Sequence, residues 1–188
     1  MSPARRIGLL CRISPFGKTT MPLILAMSSS PGTDAALADT RDRLLAQGVP
    51  VAGVLQSRAP WVRGGKDQMV LHDAAHRFSR VISQDLGAGA DGCSLDPGSL
   101  EEVAQQVGQT LPGARVLFVN RFGKQEETGR GFAPLIARAL EQGSHVVIAV
   151  AAEKRAAFIG YAGEMAQWTT PEALTDALQL HLAGEIPG

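Results

Sequence analysis

The stretch RVLFVNRFGKQEETGRG (115–131) joins an apolar run to a loop that offers almost nothing to a core. The run VLFV has the continuous character of a strand covered on both faces. The loop after it carries Arg121, Lys124 and Arg130 beside Glu126 and Glu127, punctuated by Gly123, Gly129 and Gly131. Glycines permit tight turns, and three cations after a buried strand cannot all serve the core. In an open α/β sheet, ligands bind outside the carboxyl ends of the strands. The segment is therefore expected to receive an oxyanion, with arginine binding as a fork and lysine as a point charge. Amides at the start of a helix near Gly131 would assist. Glu126 is the candidate to position water if hydrolysis occurs.

The same strand type recurs outward from this centre. LILAM (23–27), VAGVL (51–55) and HVVIAV (145–150) are short apolar runs, and helical patterns at 33–47, 99–111, 132–142 and 171–183 separate them. Glycines 48 and 143 close two of these helices. The alternation predicts a βαβ series around a mostly parallel sheet. Between residues 57 and 95 the pattern loosens, and QMVLHD with RFSRVISQ predicts a hairpin excursion in the middle of the chain. The expected fold is a three-layer α/β sandwich formed as a single domain over 1–188. Residues 1–20 are read as an extension or lead-in to it.

The unit LILAM, SSSPGTD (28–34), helix is a strand, loop and helix in the order that anion-binding loops use. Ser28, Ser29, Ser30, Gly32 and Thr33 are candidate anion-binding residues, and Ser30, Thr33 or Asp34 can cap the helix. The unit lacks a lysine, and a well-capped loop without a ligand is the competing account. Gln56 projects from the same sheet edge as Asn120, where it binds a ligand or simply closes the edge. GKTT (17–20) matches the end of a Walker A loop, but Arg12 stands where its leading glycine belongs and Pro22 interrupts the helix it requires.

The remaining features are weaker. HDAAH (72–76) has zinc-like histidine spacing, but a strand, turn and strand would separate His72 from His76, so no metal site is assigned. Cys93 has no neighbouring cation to activate it, and Asp96 is expected as a cap or turn former. WVRGGK (61–66) could bring Arg63 or Lys66 over a bound anion, with Trp61 stacking on a base.

Composition limits the function classes. Hydrophobic residues make up 45% and charged residues 19% of 188, which excludes a disordered chain. Lysine plus arginine equal aspartate plus glutamate at 18 each, so nothing global points to nucleic acid or membrane. Cys11 and Cys93 cannot form a disulfide framework, and Arg12 breaks the early apolar run IGLLC after five residues. A cytoplasmic location is expected.

The segments VPVAGVLQ (49–56), ISQDLG (82–87), GCSLD (92–96) and VNRFGKQE…GRG resemble a family of uncharacterised bacterial proteins often encoded near molybdate-transport genes. That family looks like a branch of the P-loop nucleoside triphosphatases, whose small hydrolases carry D-E-I-G-K-M-E after the corresponding strand. Gly123, Lys124 and Glu126 match its glycine, lysine and last glutamate, while Asn120 and Arg121 replace its acidic pair. The resemblance implies a P-loop-like sheet with a site for a nucleotide, phosphate or molybdate. It implies Asn120 as an uncharged ligand or hydrogen-bonding group, with hydrolysis weak or absent. Magnesium enters only if a nucleoside triphosphate is bound. An active magnesium-dependent triphosphatase and a non-enzymatic module, dimeric through the middle hairpin, remain the alternatives.

Overall fold

The computed structural model describes residues 21–60, 67–84 and 94–183. GKTT, Cys93, Arg63 and Lys66 lie outside them. In chain order, the main elements are β1 (Ile24–Ser28), α1 (Thr33–Ala46), β2 (Val51–Ala59), β3 (Gln68–Asp73), β4 (Ser79–Val81) and α2 (Pro97–Thr110). The second half adds β5 (Val116–Phe122), α3 (Lys124–Glu127), α4 (Ala133–Glu141), β6 (His145–Val150), α5 (Arg155–Ala162), β7 (Ala166–Thr169) and α6 (Leu174–Ala183).

The described residues form one seven-stranded sheet in the order β4-β3-β2-β5-β6-β1-β7. Pairing from β2 through β7 is parallel, while β3 and β4 continue the sheet as an antiparallel hairpin. The fold is thus the expected three-layer α/β sandwich with a hairpin excursion.

The pleat explains the layers, because successive side chains point to opposite faces. Ile24, Ala52, Leu117, Val146 and Ile148 pack with α2, α4 and α5 on one face. Leu25, Val51, Phe118, Val147 and Ala149 pack with α1 and α6 on the other. Every residue of β6 is buried, as a strand covered on both sides requires.

Local chemistry sets the helix ends. Gly32 caps α1 in a left-handed conformation (φ 92°) without any side-chain cap, which departs from the expected role of Ser30, Thr33 or Asp34. Asp96 caps α2, its carboxylate accepting from the Gly98 amide at 3.0 Å and the Ser99 hydroxyl at 2.8 Å. The Ser99 bond holds the Asp96 carboxyl below its usual range. Gly48 and Gly143 follow α1 and α4 with φ of 71° and 91°.

β7 and α5 escape the periodicity. β7 is four residues, AQWT, and α5 is eight, RAAFIGYA, each too short to show a repeat. β2 also runs past the apolar VAGVL to Ala59, where it pairs with β3.

The connections from β1 and β6 leave in opposite directions. The chain passes from β1 through α1 to β2, and from β6 through α5 across β1 to β7. A crevice opens at such a switch point. It lies between the ends of β1 and β6, where Ser28 pairs with Val150.

Candidate functional site

The loop after β1 is closed by its own atoms. The Ser29 amide donates to Val150 O at 2.8 Å and the Thr33 amide to Ser30 O at 3.1 Å. The Ser30 amide donates to Thr33 Oγ1 at 2.9 Å, and Thr33 is 1% exposed. Three of the N–H groups that a phosphate cradle would offer are therefore already satisfied. The Thr33 hydroxyl turns back to Ser28 O at 3.3 Å rather than toward the edge.

Two arginine side chains also reach this corner. Arg121 reaches across β6 from the end of β5, with Nη1 3.3 Å from Ser29 Oγ and Nη2 3.4 Å from Asp34 Oδ2. Arg155, the first residue of α5, donates to Ser28 Oγ at 3.4 Å. Its guanidinium lies 3.8 Å from the Trp168 ring centre, a cation–π contact that restrains its plane. Adjacent serines thus each meet an arginine, one from β5 and one from the segment after β6. Arg155 escapes notice in the sequence because EKR follows HVVIAV without glycines to mark a ligand loop. Its place at the carboxyl end of a buried strand is the available signal.

A β-bulge aims Arg121. Val119 pairs with Ile148 but Phe122 with Val150, so β5 holds one residue more than β6 over this interval. Bulges commonly redirect side chains beside sites. Asn120 is 3% exposed, its Oδ1 accepting the Gln56 amide at 2.8 Å where β2 and β5 diverge. Its Nδ2 is buried with no hydrogen-bond partner among the described residues. Gln56 enters this contact through its backbone.

Glu126 occupies a different place from the rim position expected of a water-orienting group. It is 4% exposed, and its oxygens accept the Gly123 amide at 3.0 Å and the Phe132 amide at 3.1 Å. Glu101 Oε1 accepts the Gly131 amide at 2.8 Å. The amides expected to serve an anion at the start of α4 are instead taken by two of the protein's own carboxylates. A Cβ on Gly131, where φ is 57°, would press on Glu126 Oε1 and push that carboxylate off its amides, so glycine is favoured here. Lys124 and Arg130 are exposed and make no ion pair among the described residues, while Lys154 pairs with Glu127.

Glu126 also reaches the protein's one tyrosine. Burial, and then the Glu126 charge, push the Tyr161 hydroxyl up to about 12, and that hydroxyl donates to Ala133 O at 3.2 Å. The folded state holds this proton more tightly than the unfolded chain, whose tyrosine titrates near 10. The stability it contributes is complete below about pH 10 and is lost as pH rises toward about 12. Tyrosinate absorbance of Glu126→Gln should show an earlier transition that still lies above that of free tyrosine, because burial is the larger cause. An unchanged transition would separate Glu126 from Tyr161.

The histidines of HDAAH are apart in function. The His72 ring bridges Ser57 and Ser79 hydroxyls at 2.7 Å each, whereas His76 sits in the turn at φ 62°, 3.7 Å from Asp42. No helix among the described residues is long and apolar enough to cross a membrane.

Solved structures share this fold. A human cancer-related nucleoside triphosphatase superposes with a TM-score of 0.64 at 16% identity, over 87% of this chain and 98% of that one. THEP1 from the hyperthermophile Aquifex aeolicus gives 0.59 at 16%, over 85% and 98%. At such identity the likeness is one of fold. In sequence, 131 residues, or 69% of the chain, are 30% identical to the molybdenum import ATP-binding protein ModC 2 of Bradyrhizobium diazoefficiens. The match spans about 15% of that protein's length. The sequence model of the family described as "Protein of unknown function (DUF2478)" matches residues 23–177, and the chain belongs to that family.

Proposed function

We propose that the protein binds a nucleotide or small oxyanion at the carboxyl edge of its sheet, with hydrolysis weak or absent, in a role linked to molybdate or molybdenum-cofactor metabolism. The observation that carries the reading is the pair of arginines, Arg121 and Arg155, meeting Ser29 and Ser28 at the switch point. Lys124 and Arg130 are exposed in the segment after β5 and add positive charge there. Similarity to a molybdenum import ATP-binding protein and to nucleoside triphosphatases supports the ligand class. The carboxylates support weak hydrolysis. Phosphoryl transfer with magnesium needs an acidic group near the metal and a cation on the phosphates. Here β5 ends in Asn120 and Arg121, Glu126 is consumed by backbone amides, and Asp34 is paired with Arg121.

Calorimetric titration with ATP, GTP, phosphate and molybdate tests the reading. At least one should bind below millimolar concentration, and Arg121→Ala should weaken it about tenfold or more, as loss of a charge-assisted hydrogen bond does. Silence for all four removes the reading. An active triphosphatase is the second reading, favoured by the fold likeness to nucleoside triphosphatases. It requires magnesium-dependent phosphate release that Lys18→Ala abolishes.

A further inference from the structure

We propose that the Ser28–Ser29 corner is a metal-independent receptor for a free tetrahedral dianion, clamped by Arg155 and Arg121, with Asp34 as its internal competitor. The inference rests on the proposed anion-binding function and narrows its ligand. A magnesium–nucleotide site is built from loop amides, a lysine and a carboxylate that holds the metal. At this corner the Ser29, Ser30 and Thr33 amides are spent within the protein, and Thr33 directs its hydroxyl to Ser28 O. The side chains add donors of another kind: two guanidinium forks and two serine hydroxyls.

Each fork presents parallel N–H groups to two oxygens of a tetrahedral anion, and two permanent cations balance a charge of minus two. Arg155 is held in advance by Trp168, which lowers the ordering cost of binding. One residue before Arg121, at the end of β5, the Asn120 Nδ2 is buried without a partner among the described residues. Asp34 holds one arm of the Arg121 fork loosely, its oxygens 3.5 and 3.4 Å from Nη2. Contacts this long are readily exchanged for a better acceptor.

The test is calorimetry of the full chain with phosphate, sulfate, molybdate and ATP, each in excess magnesium and in EDTA. One free dianion should bind with the same affinity, within about twofold, in both conditions. Arg155→Lys should weaken it about tenfold by removing the fork while keeping the charge, and Asp34→Asn should tighten it about threefold by freeing Arg121. In a Trp61→Phe chain, Trp168 is the one remaining indole, and the same dianion should shift its emission whether or not the Arg155 variant folds. ATP binding that requires magnesium and exceeds every free dianion would overturn the dianion receptor while leaving an anion-binding edge in place. Unchanged affinity in Arg155→Lys, no gain in Asp34→Asn, or constant Trp168 emission on saturation would also overturn it. Absence of heat for all four ligands would remove the proposed function itself.

Discussion

Replacing Gly53 with alanine should cost about 4 kcal/mol or more, a large part of the ~5–15 kcal/mol that holds a domain folded. Gly53 lies inside β2 with φ 107°, a region that L side chains rarely enter. A Cβ there would also drive into the backbone of Phe118 on the adjacent β5. Backbone strain costs ~1–3 kcal/mol and overpacking adds a similar amount, since neither strand can yield without breaking its pairing. Gly48→Ala provides the control: its φ is 71°, yet nothing among the described residues lies within 4 Å of the added methyl. That variant should lose only about 1 kcal/mol. Urea unfolding of the two would separate the contributions, and equal losses would show that contact with β5 does not matter.

Arg77→Ala is the second large effect, at about 3 kcal/mol. Asp73 is completely buried at the end of β3. Its carboxylate accepts from Arg77 Nε at 2.7 Å and Nη2 at 2.8 Å, and from the amides of Ala75 at 3.0 Å and Arg77 at 3.2 Å. Removing the guanidinium leaves a buried charge compensated by two backbone dipoles. The damage should stay near the hairpin, whose turn is tied to β2 by the Ala74 amide donating to Gly53 O at 2.9 Å. Asp73→Asn combined with Arg77→Ala should recover part of the loss, because no unpaired charge remains. A loss under about 0.5 kcal/mol for the single variant would mean that the pair behaves as an exposed ion pair.

These two positions show how legibility divides. Gly53 in VAGVLQ is indistinguishable in the sequence from a glycine of convenience. Its approach to Phe118 exists only after β2 and β5, distant in the chain, have paired. Asp73 and the histidines of HDAAH present a zinc spacing to the eye, but the chain uses the aspartate to fasten a turn. The strands VLFV and HVVIAV are plain because burial on both faces demands unbroken apolar runs, whereas AQWT at the sheet border meets no such demand. At the site, the relation of Arg121 to the loop after β1 is expected from the sheet-edge rule. The partnership of Arg155 with Trp168 and Ser28 is not, since it joins three segments separated in the chain.

Local periodicity and residue chemistry suffice for the α/β class, the middle hairpin and the enrichment of cations after β5, and all three can be read from the letters. Which polar groups remain available to a ligand is a matter of packing across the sheet. Glu126 and the amides before α4 satisfy one another, as do Ser30 and Thr33, while Arg121 and Arg155 reach the edge. A buried polar group must find a partner wherever packing places one. That partner is set by strand order and by a one-residue bulge, neither of which is written into the spacing of NRFGKQEETGRG.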